Sequence, residues 1–362
     1  MQPRRVAGVA LAAAAVLAIV GCGGIVAAAS SRSPAKAQLT VGKAVGQLII
    51  ATYNGTTPPS SILSAVRAGK VGAIILMGDN TGGSVTVTRR ATDGLQRAAR
   101  LGHNPGLLIM TDQEGGEVKR LPNGPPAYAA AQMSNPQRAG YQGYQTGELL
   151  KRGGVNVDLA PVADVSVIDG FMTQEQRTFG SSPGVVARAA CAFADGLKRA
   201  DVAYTLKHFP GLGDAEQSTD NVPVDVTQSA AGVYADDASY RSCDHGPLAL
   251  VMVSSASYKH LTGNLPAVMA PVIYKTVLPQ DGDNALSISD SFESGAVAAW
   301  SHPARRALAA GLDMVMYPGE ESAALSAYPA LVADVDHGAL SRARVTAAAD
   351  AVLALKRALG LG

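Results

Sequence analysis

The sequence predicts an α/β protein built as a single (β/α)8 TIM barrel, and three observations carry that expectation. Eight short apolar runs recur along residues 39–362, helical patterns separate them, and ionisable residues collect directly after several of the runs. Strands of a parallel sheet are buried on both faces, so they read as continuous apolar runs rather than as alternating ones. Eight strand–helix units make a closed barrel the natural arrangement. A doubly wound open sheet is the alternative architecture, and no break in composition marks a second domain.

The runs occupy residues 48–51, 71–76, 107–110, 155–160, 202–206, 248–253, 285–289 and 313–316. Ser134-Asn135-Pro136 combines a capping side chain with Pro at the first helical turn, where its missing N–H costs nothing, and Gly153-Gly154 closes that helix. Pro183 opens another, with Val185, Ala189, Phe193 and Leu197 spaced by four on one face. Residues 342–359 form a last helix that stops at Gly360.

Apolar residues make up 47% of the 362-residue chain and charged residues 16%, which provides a large core and excludes a disordered chain. The formal net charge is +1 and no basic run exceeds pairs such as Arg89-Arg90, so no nucleic-acid partner is expected. Aromatics are scarce at 5% against 39 glycines, favouring close helix–sheet contacts over an aromatic-lined sandwich.

The N-terminal residues have the pattern of an address. Arg4 and Arg5 precede an uncharged stretch over 6–29, the charged-then-apolar order of an export signal. Within it, Ile19-Val20-Gly21-Cys22 resembles the bacterial lipobox, whose Cys is lipidated and becomes the new N-terminus. Residues 1–29 therefore read as a signal and lipoprotein-anchor segment, Cys22 as the lipidation site, and residues 30–38 as a tether. Several acyl chains on one residue hold a domain stably at a membrane, whereas one is marginal. An uncleaved membrane helix is the alternative, and either reading exports the domain to the outer face of the membrane or envelope. Cys191 and Cys243 then remain. Export permits a disulfide between them, and two buried free thiols fit the sequence equally well.

In barrel enzymes catalytic groups sit just beyond the C-terminal ends of the strands. Here Asp112, Gln113 and Glu114 follow the third run, Asp164 the fourth, Lys207 and His208 the fifth, and Asp290 the seventh. Four such ends together point to a site. The six histidines are scattered, with no H-E-x-x-H and no Cys/His cluster, so no metal is expected. Gly211-Leu212-Gly213 lacks a third spaced glycine and no Gly-Lys-Ser/Thr loop occurs, so no nucleotide cofactor is expected either. Ser254-Ser255 has no G-x-S-x-G elbow around it. What remains suits recognition of many hydroxyls, with a carboxylate able to stabilise or attack a cationic carbon. That is glycoside chemistry.

The motifs point the same way. Thr111 to Arg120 (TDQEGGEVKR) resembles the D-Q-E-G-G-x-V-x-R segment of glycoside hydrolase family 3, and Asn156 to Val165 (NVDLAPVADV) resembles that family's next strand. Arg177-Thr178-Phe179-Gly180 resembles its R-[ST]-F-G, Lys207-His208-Phe209-Pro210-Gly211 its K-H-F-P-G, and Ile288-Ser289-Asp290 its I-[ST]-D. The resemblance runs in order over roughly residues 39–359. It implies a (β/α)8 barrel and a retaining exo-β-N-acetylglucosaminidase or hexosaminidase of the single-domain bacterial type, acting on cell-wall-derived or related amino-sugar glycans without a cofactor. By position it implies Asp290 as the nucleophile, with Asp112, Arg177, Lys207 and His208 binding the hydroxyls of the terminal sugar. Arg120, at the family's spacing from Asp112, binds substrate or orients the loop.

One departure matters. The hexosaminidase branch continues with K-H-F-P-G-H-G and a later D-S-H, whose Asp–His pair serves as general acid/base. This chain reads Leu212-Gly213-Asp214-Ala215-Glu216-Gln217-Ser218-Thr219-Asp220-Asn221 instead, and both histidines are absent. Asp220 occupies about the place of the missing catalytic His, and is expected to be the acid/base if its surroundings raise its pKa. Asp214 and Glu216 are competitors on the same loop. The alternatives are a sugar-binding lipoprotein weakened in catalysis and a β-glycosidase of other sugar specificity.

Overall fold

The computed structural model describes residues 39–167, 170–280 and 285–362. The anchor segment, the tether and Cys22 lie outside the described residues.

Eight parallel strands close into a barrel in chain order: β1 (Ile49–Ala51), β2 (Ala73–Ile75), β3 (Leu108–Thr111), β4 (Val157–Asp158), β5 (Ala203–Phe209), β6 (Ala249–Val253), β7 (Leu286–Ser291) and β8 (Met314–Met316). The ring closes through β1 and β8, with Ile49 opposite Val315 and Ile50 opposite Met316. Each strand falls on one of the expected apolar runs, and an open sheet is excluded by that closure. The 155–160 run narrows to the two residues of β4, while the chain beyond it stays paired with β5 through the Ala160 carbonyl, the Val162–Lys207 bridge and the Ala163 N–H.

Alternation along the strands builds two cores. Ile50, Ile75, Met110, Val157, Leu250, Ile288 and Met316 point inward and fill the barrel, so its lumen is packed and not a pore. Their neighbours Ile49, Ile74, Ile109, Val251 and Val315 point outward against the helices. Val352 and Leu355 of the Arg342–Ala358 helix join the inner cluster, beside Leu248 and Leu361 at the N-terminal ends of the strands. That helix therefore plugs the end of the barrel opposite the site.

The helix Pro136–Arg152 starts as expected: the Asn135 side chain accepts the Arg138 N–H and Pro follows directly. The helix Pro183–Arg199 buries Ala189, Phe193 and Leu197 against it. Glycine makes their close approach possible, since a Cβ on Gly143 would stand 2.2 Å from the Phe193 carbonyl oxygen. Cys191 on the second helix is disulfide-bonded to Cys243, which decides between the two thiol states left open by the sequence.

Candidate active site

The C-terminal ends of the strands surround a cavity of about 600 Å³. Asp112, Arg120, Arg177, Lys207, His208, Asp220 and Asp290 all line it, so the seven site residues expected from the sequence within the described segments converge on one place. Met252, Met316 and Ile75, at the ends of β6, β8 and β2, provide an apolar floor.

Local structure explains how each polar group arrives there. After β3, the chain folds into a hairpin pairing Gln113–Gly115 with Val118–Lys119. Gly115 has φ 112°, a left-handed backbone suited to glycine, and a Cβ on it would lie 2.3 Å from the Tyr128 carbonyl oxygen. Gln113 is structural: its amide spans Leu121 and Pro125 with bonds of 2.8–3.0 Å. Asp112 and Glu114, on either side of it, face the cavity. Lys207 and His208 stand on β5, joined by a cis peptide, where the register with β6 shifts between Leu206 and Phe209. Asp290, next to the last residue of β7, lies at a second irregularity, between Ile288 and Ser291, of the kind that re-aims a side chain. Its Oδ1 accepts the Ser291 N–H at 2.8 Å.

The buried charges form one connected network. Arg177 grips Glu114 through Nε and Nη2, both at 2.9 Å, in the bidentate geometry of a guanidinium on a carboxylate. Lys207 Nζ lies 2.6 Å from Glu114 Oε1 and 2.8 Å from Asp112 Oδ1, and Arg120 Nη2 reaches Asp112 Oδ2 at 3.3 Å. Burial alone would raise both carboxyl pKa values. The neighbouring cations outweigh it: Arg177 and Lys207 hold Glu114 well below the usual range, and Lys207 with Arg120 holds Asp112 below it. Burial likewise opposes the Lys207 ammonium, but Asp112 and Glu114 raise its pKa overall.

His208 is fixed by a residue that sequence reasoning placed at a strand end without a role. Asp164, fully buried, accepts the His208 N–H (3.0 Å), the Leu212 N–H (2.7 Å) and the Tyr240 hydroxyl (3.0 Å) on Oδ1. Its Oδ2 is 2.8 Å from His208 Nδ1. Burial opposes the Asp164 charge, yet His208 and these donors lower its pKa, so it is an acceptor and His208 Nδ1 the donor. The other ring nitrogen is then left to meet a ligand. Asp158 behaves oppositely: burial raises its pKa well above the usual range, only Oδ1 has a partner (Gln113 N–H, 3.0 Å), and Oδ2 is buried without one.

The loop after β5 crosses the mouth and is tied on both sides. Gly213 and Ala215 carbonyls accept the N–H groups of Val167 and Phe171, and the Asp220 carbonyl accepts the Gly295 N–H at 3.2 Å. Gly213 must be glycine there, because a Cβ would lie 1.7 Å from the Val165 oxygen. Beyond β7, Glu293 accepts the N–H groups of Gly319 and Glu320, joining the β7 and β8 loops. Asp220 keeps contact with solvent at the lip, yet the surrounding walls and then the Asp290 charge raise its pKa, against weaker lowering by His208 and Ser218. Of its two competitors, Glu216 lines the cavity and Asp214 does not.

The missed residues, Glu114 and Asp164, carry most of the positioning. Both stood among the polar residues after strands and inside the family-like motifs, but neither signal assigned them a role. Their partners lie 63 and 44 positions away in the chain.

Comparison with known proteins agrees with this geometry. Residues 40–355 match the glycosyl hydrolase family 3 N terminal domain. An uncharacterized secreted glycosyl hydrolase of Arthroderma benhamiae is 32% identical over 289 residues, covering 76% of this chain and 82% of that protein. Beta-hexosaminidase LpqI of Mycobacterium tuberculosis is 31% identical over 232 residues, 58% of each chain. The structure of a family 3 β-N-acetylglucosaminidase from Paenibacillus superimposes with a TM-score of 0.82 at 26% identity, over 89% of this chain and 63% of that one. The chain thus spans less than two thirds of the last two proteins. The match over nearly all of the barrel, with the family's motifs converging on one cavity, shows that the chain belongs to glycosyl hydrolase family 3 and is a glycoside hydrolase acting on O-glycosyl bonds.

Proposed function

We propose that this chain is an exported, retaining exo-β-glycosidase, a β-N-acetylhexosaminidase acting on N-acetylglucosamine-containing glycans through Asp290. The observation that carries the reading is the presence of the Asp220 and Asp290 carboxyl groups in one cavity, where partial burial and then the charge of Asp290 raise the pKa of Asp220. Names of relatives support the sugar: a beta-hexosaminidase and a β-N-acetylglucosaminidase are among them.

In this reading Asp290 attacks the anomeric carbon as the glycosidic C–O bond breaks, and Asp220 gives its proton to the departing oxygen. A glycosyl ester on Asp290 results. Asp220, now ionised, takes a proton from water, which attacks C1 and releases Asp290 with the β configuration restored. A carboxyl whose pKa is raised by its surroundings suits the first step, and its anion suits the second. Asp112, Arg177, Lys207 and His208 bind the hydroxyls of the terminal sugar, with Arg120 at the side. Each is already held by a buried partner, so little ordering is left to the binding step.

Hydrolysis of a chromogenic N-acetyl-β-glucosaminide by the wild type and by Asp290→Ala tests the reading. Loss of about 10³-fold or more in kcat is expected for removal of a nucleophile. Equal rates would overturn it. Export and lipidation at Cys22 are part of the same proposal. The Cys191–Cys243 disulfide, a bond that persists in oxidising compartments, supports export, as does the secreted relative. Cys22→Ala is expected to move the protein from the membrane fraction to the soluble one.

A further inference from the structure

We infer that the mouth of this cavity selects against leaving groups that carry a carboxylate, and favours those that are neutral or bear an ammonium, such as a de-N-acetylated amino sugar, with Glu216 and Glu175 as the determining residues. The inference rests on the proposed reading of the site, in which the terminal sugar occupies the buried end.

The two ends of the cavity differ in charge. At the buried end every cation is committed. Lys207, 2% exposed, is held between Asp112 and Glu114, and Arg177, 16% exposed, is gripped by Glu114. Arg120 is turned onto Asp112. The mouth is lined differently: Glu175, 46% exposed, meets Arg177 only at 3.4 Å, and Glu216 is exposed and forms no ion pair among the described residues. Asp220 stands at the same lip. Counting all walls, six carboxylates face three Lys or Arg side chains, and His208 adds at most one positive charge. Protonation of Asp220 still leaves an excess of negative charge.

An exo-acting site takes the terminal sugar to its closed end, so the leaving group stays at the mouth and feels the uncompensated carboxylates. A like charge there is repelled and an opposite one attracted, over a range set by the Debye length of about 10 Å at 0.1 M salt. Like-charge juxtaposition is also how a site rejects a wrong partner without new contacts.

The test uses four disaccharides sharing a non-reducing β-1,4-linked N-acetylglucosamine. Their reducing units are glucosamine, N-acetylglucosamine, 3-O-lactyl-N-acetylglucosamine and the methyl ester of the last, a neutral control for bulk. At low salt, kcat/KM is expected to be about tenfold higher for the ammonium than for the carboxylate, with the ester recovering most of the loss. The ratio is expected to shrink toward two- or threefold in 0.5 M salt and to narrow likewise in Glu216→Gln. A carboxylate cleaved as fast as its ester, or a ratio moved by neither salt nor the substitution, overturns the inference while leaving the catalytic reading intact. No cleavage of any of these, or of an aryl N-acetylglucosaminide, overturns both.

Discussion

Arg177 and Glu114 are joined by two parallel bonds of 2.9 Å, and Lys207 closes on the same carboxylate at 2.6 Å. Breaking one member of such a buried cluster leaves the others uncompensated, which costs more than the cluster's net worth. Glu114→Gln is therefore expected to lower unfolding free energy at pH 7 by about 3 kcal/mol in urea titrations. Arg177→Lys is expected to be a poor substitute, because an ammonium cannot form the paired bonds.

The sign of the pH dependence follows from the same cluster. Glu114 and Asp112 titrate lower in the folded chain than in the unfolded one, since cations outweigh burial. Their contribution is fully present above the ordinary carboxylate pKa of about 4 and is lost as pH falls toward the folded values. Unfolding free energy measured between pH 7 and pH 3 is expected to fall less steeply in Glu114→Gln than in the wild type.

Asp164 accepts four bonds from three residues and fixes which nitrogen of His208 faces the cavity. Asp164→Asn keeps the shape but presents either an amide N–H or a weaker acceptor to Nδ1. A fall in kcat/KM of about 10²-fold or more is expected, together with a changed imidazole tautomer by ¹⁵N NMR. An unchanged tautomer with full activity would remove Asp164 from the account.

Much of this site is legible in the sequence. All eight apolar runs became strands because burial on both faces leaves a strong one-dimensional signature, and Asp112, Lys207, His208 and Asp290 stood out as charges placed just beyond them. The pairings were not legible. Which carboxylate holds Arg177, or which acid orients His208, depends on the register between separate strands, and no local pattern encodes a partner 63 or 44 residues away. The disulfide was undecided for the same reason: its cysteines are 52 residues apart and meet only once the Pro183–Arg199 helix packs beside the segment that follows β5.

Lys356 lies far from the chemistry and is fully buried, with Nζ 2.7 Å from Gln47 Oε1. Burial pushes its pKa down to about 7. The unfolded chain therefore binds one more proton between pH 7 and the ordinary lysine value, so stability is penalised in full below pH 7 and recovers as pH rises toward 10. Lys356→Met is expected to stabilise the fold at pH 6 by something on the order of 3–5 kcal/mol, less about 1 for the unpaired Gln47, and to give no stabilisation near pH 10. Chemical denaturation at the two pH values checks this.

Asp220 is the departure from the family pattern, and leaving-group dependence isolates it. Asp220→Asn is expected to lower kcat about 10²–10⁴-fold on alkyl or sugar leaving groups and far less on a dinitrophenyl glycoside, which departs without a proton. Equal losses on both would move the acid role elsewhere, with Glu216 next in reach.

The covalent intermediate is the most direct test of all. A 5-fluoro-N-acetylglucosaminyl fluoride forms the glycosyl ester quickly and hydrolyses it slowly, so peptic digestion and mass spectrometry report the residue that carries the sugar. The account predicts a single labelled peptide containing Asp290, and no labelling in Asp290→Ala. A label on another residue, or steady turnover of the reagent with none on Asp290, would contradict it.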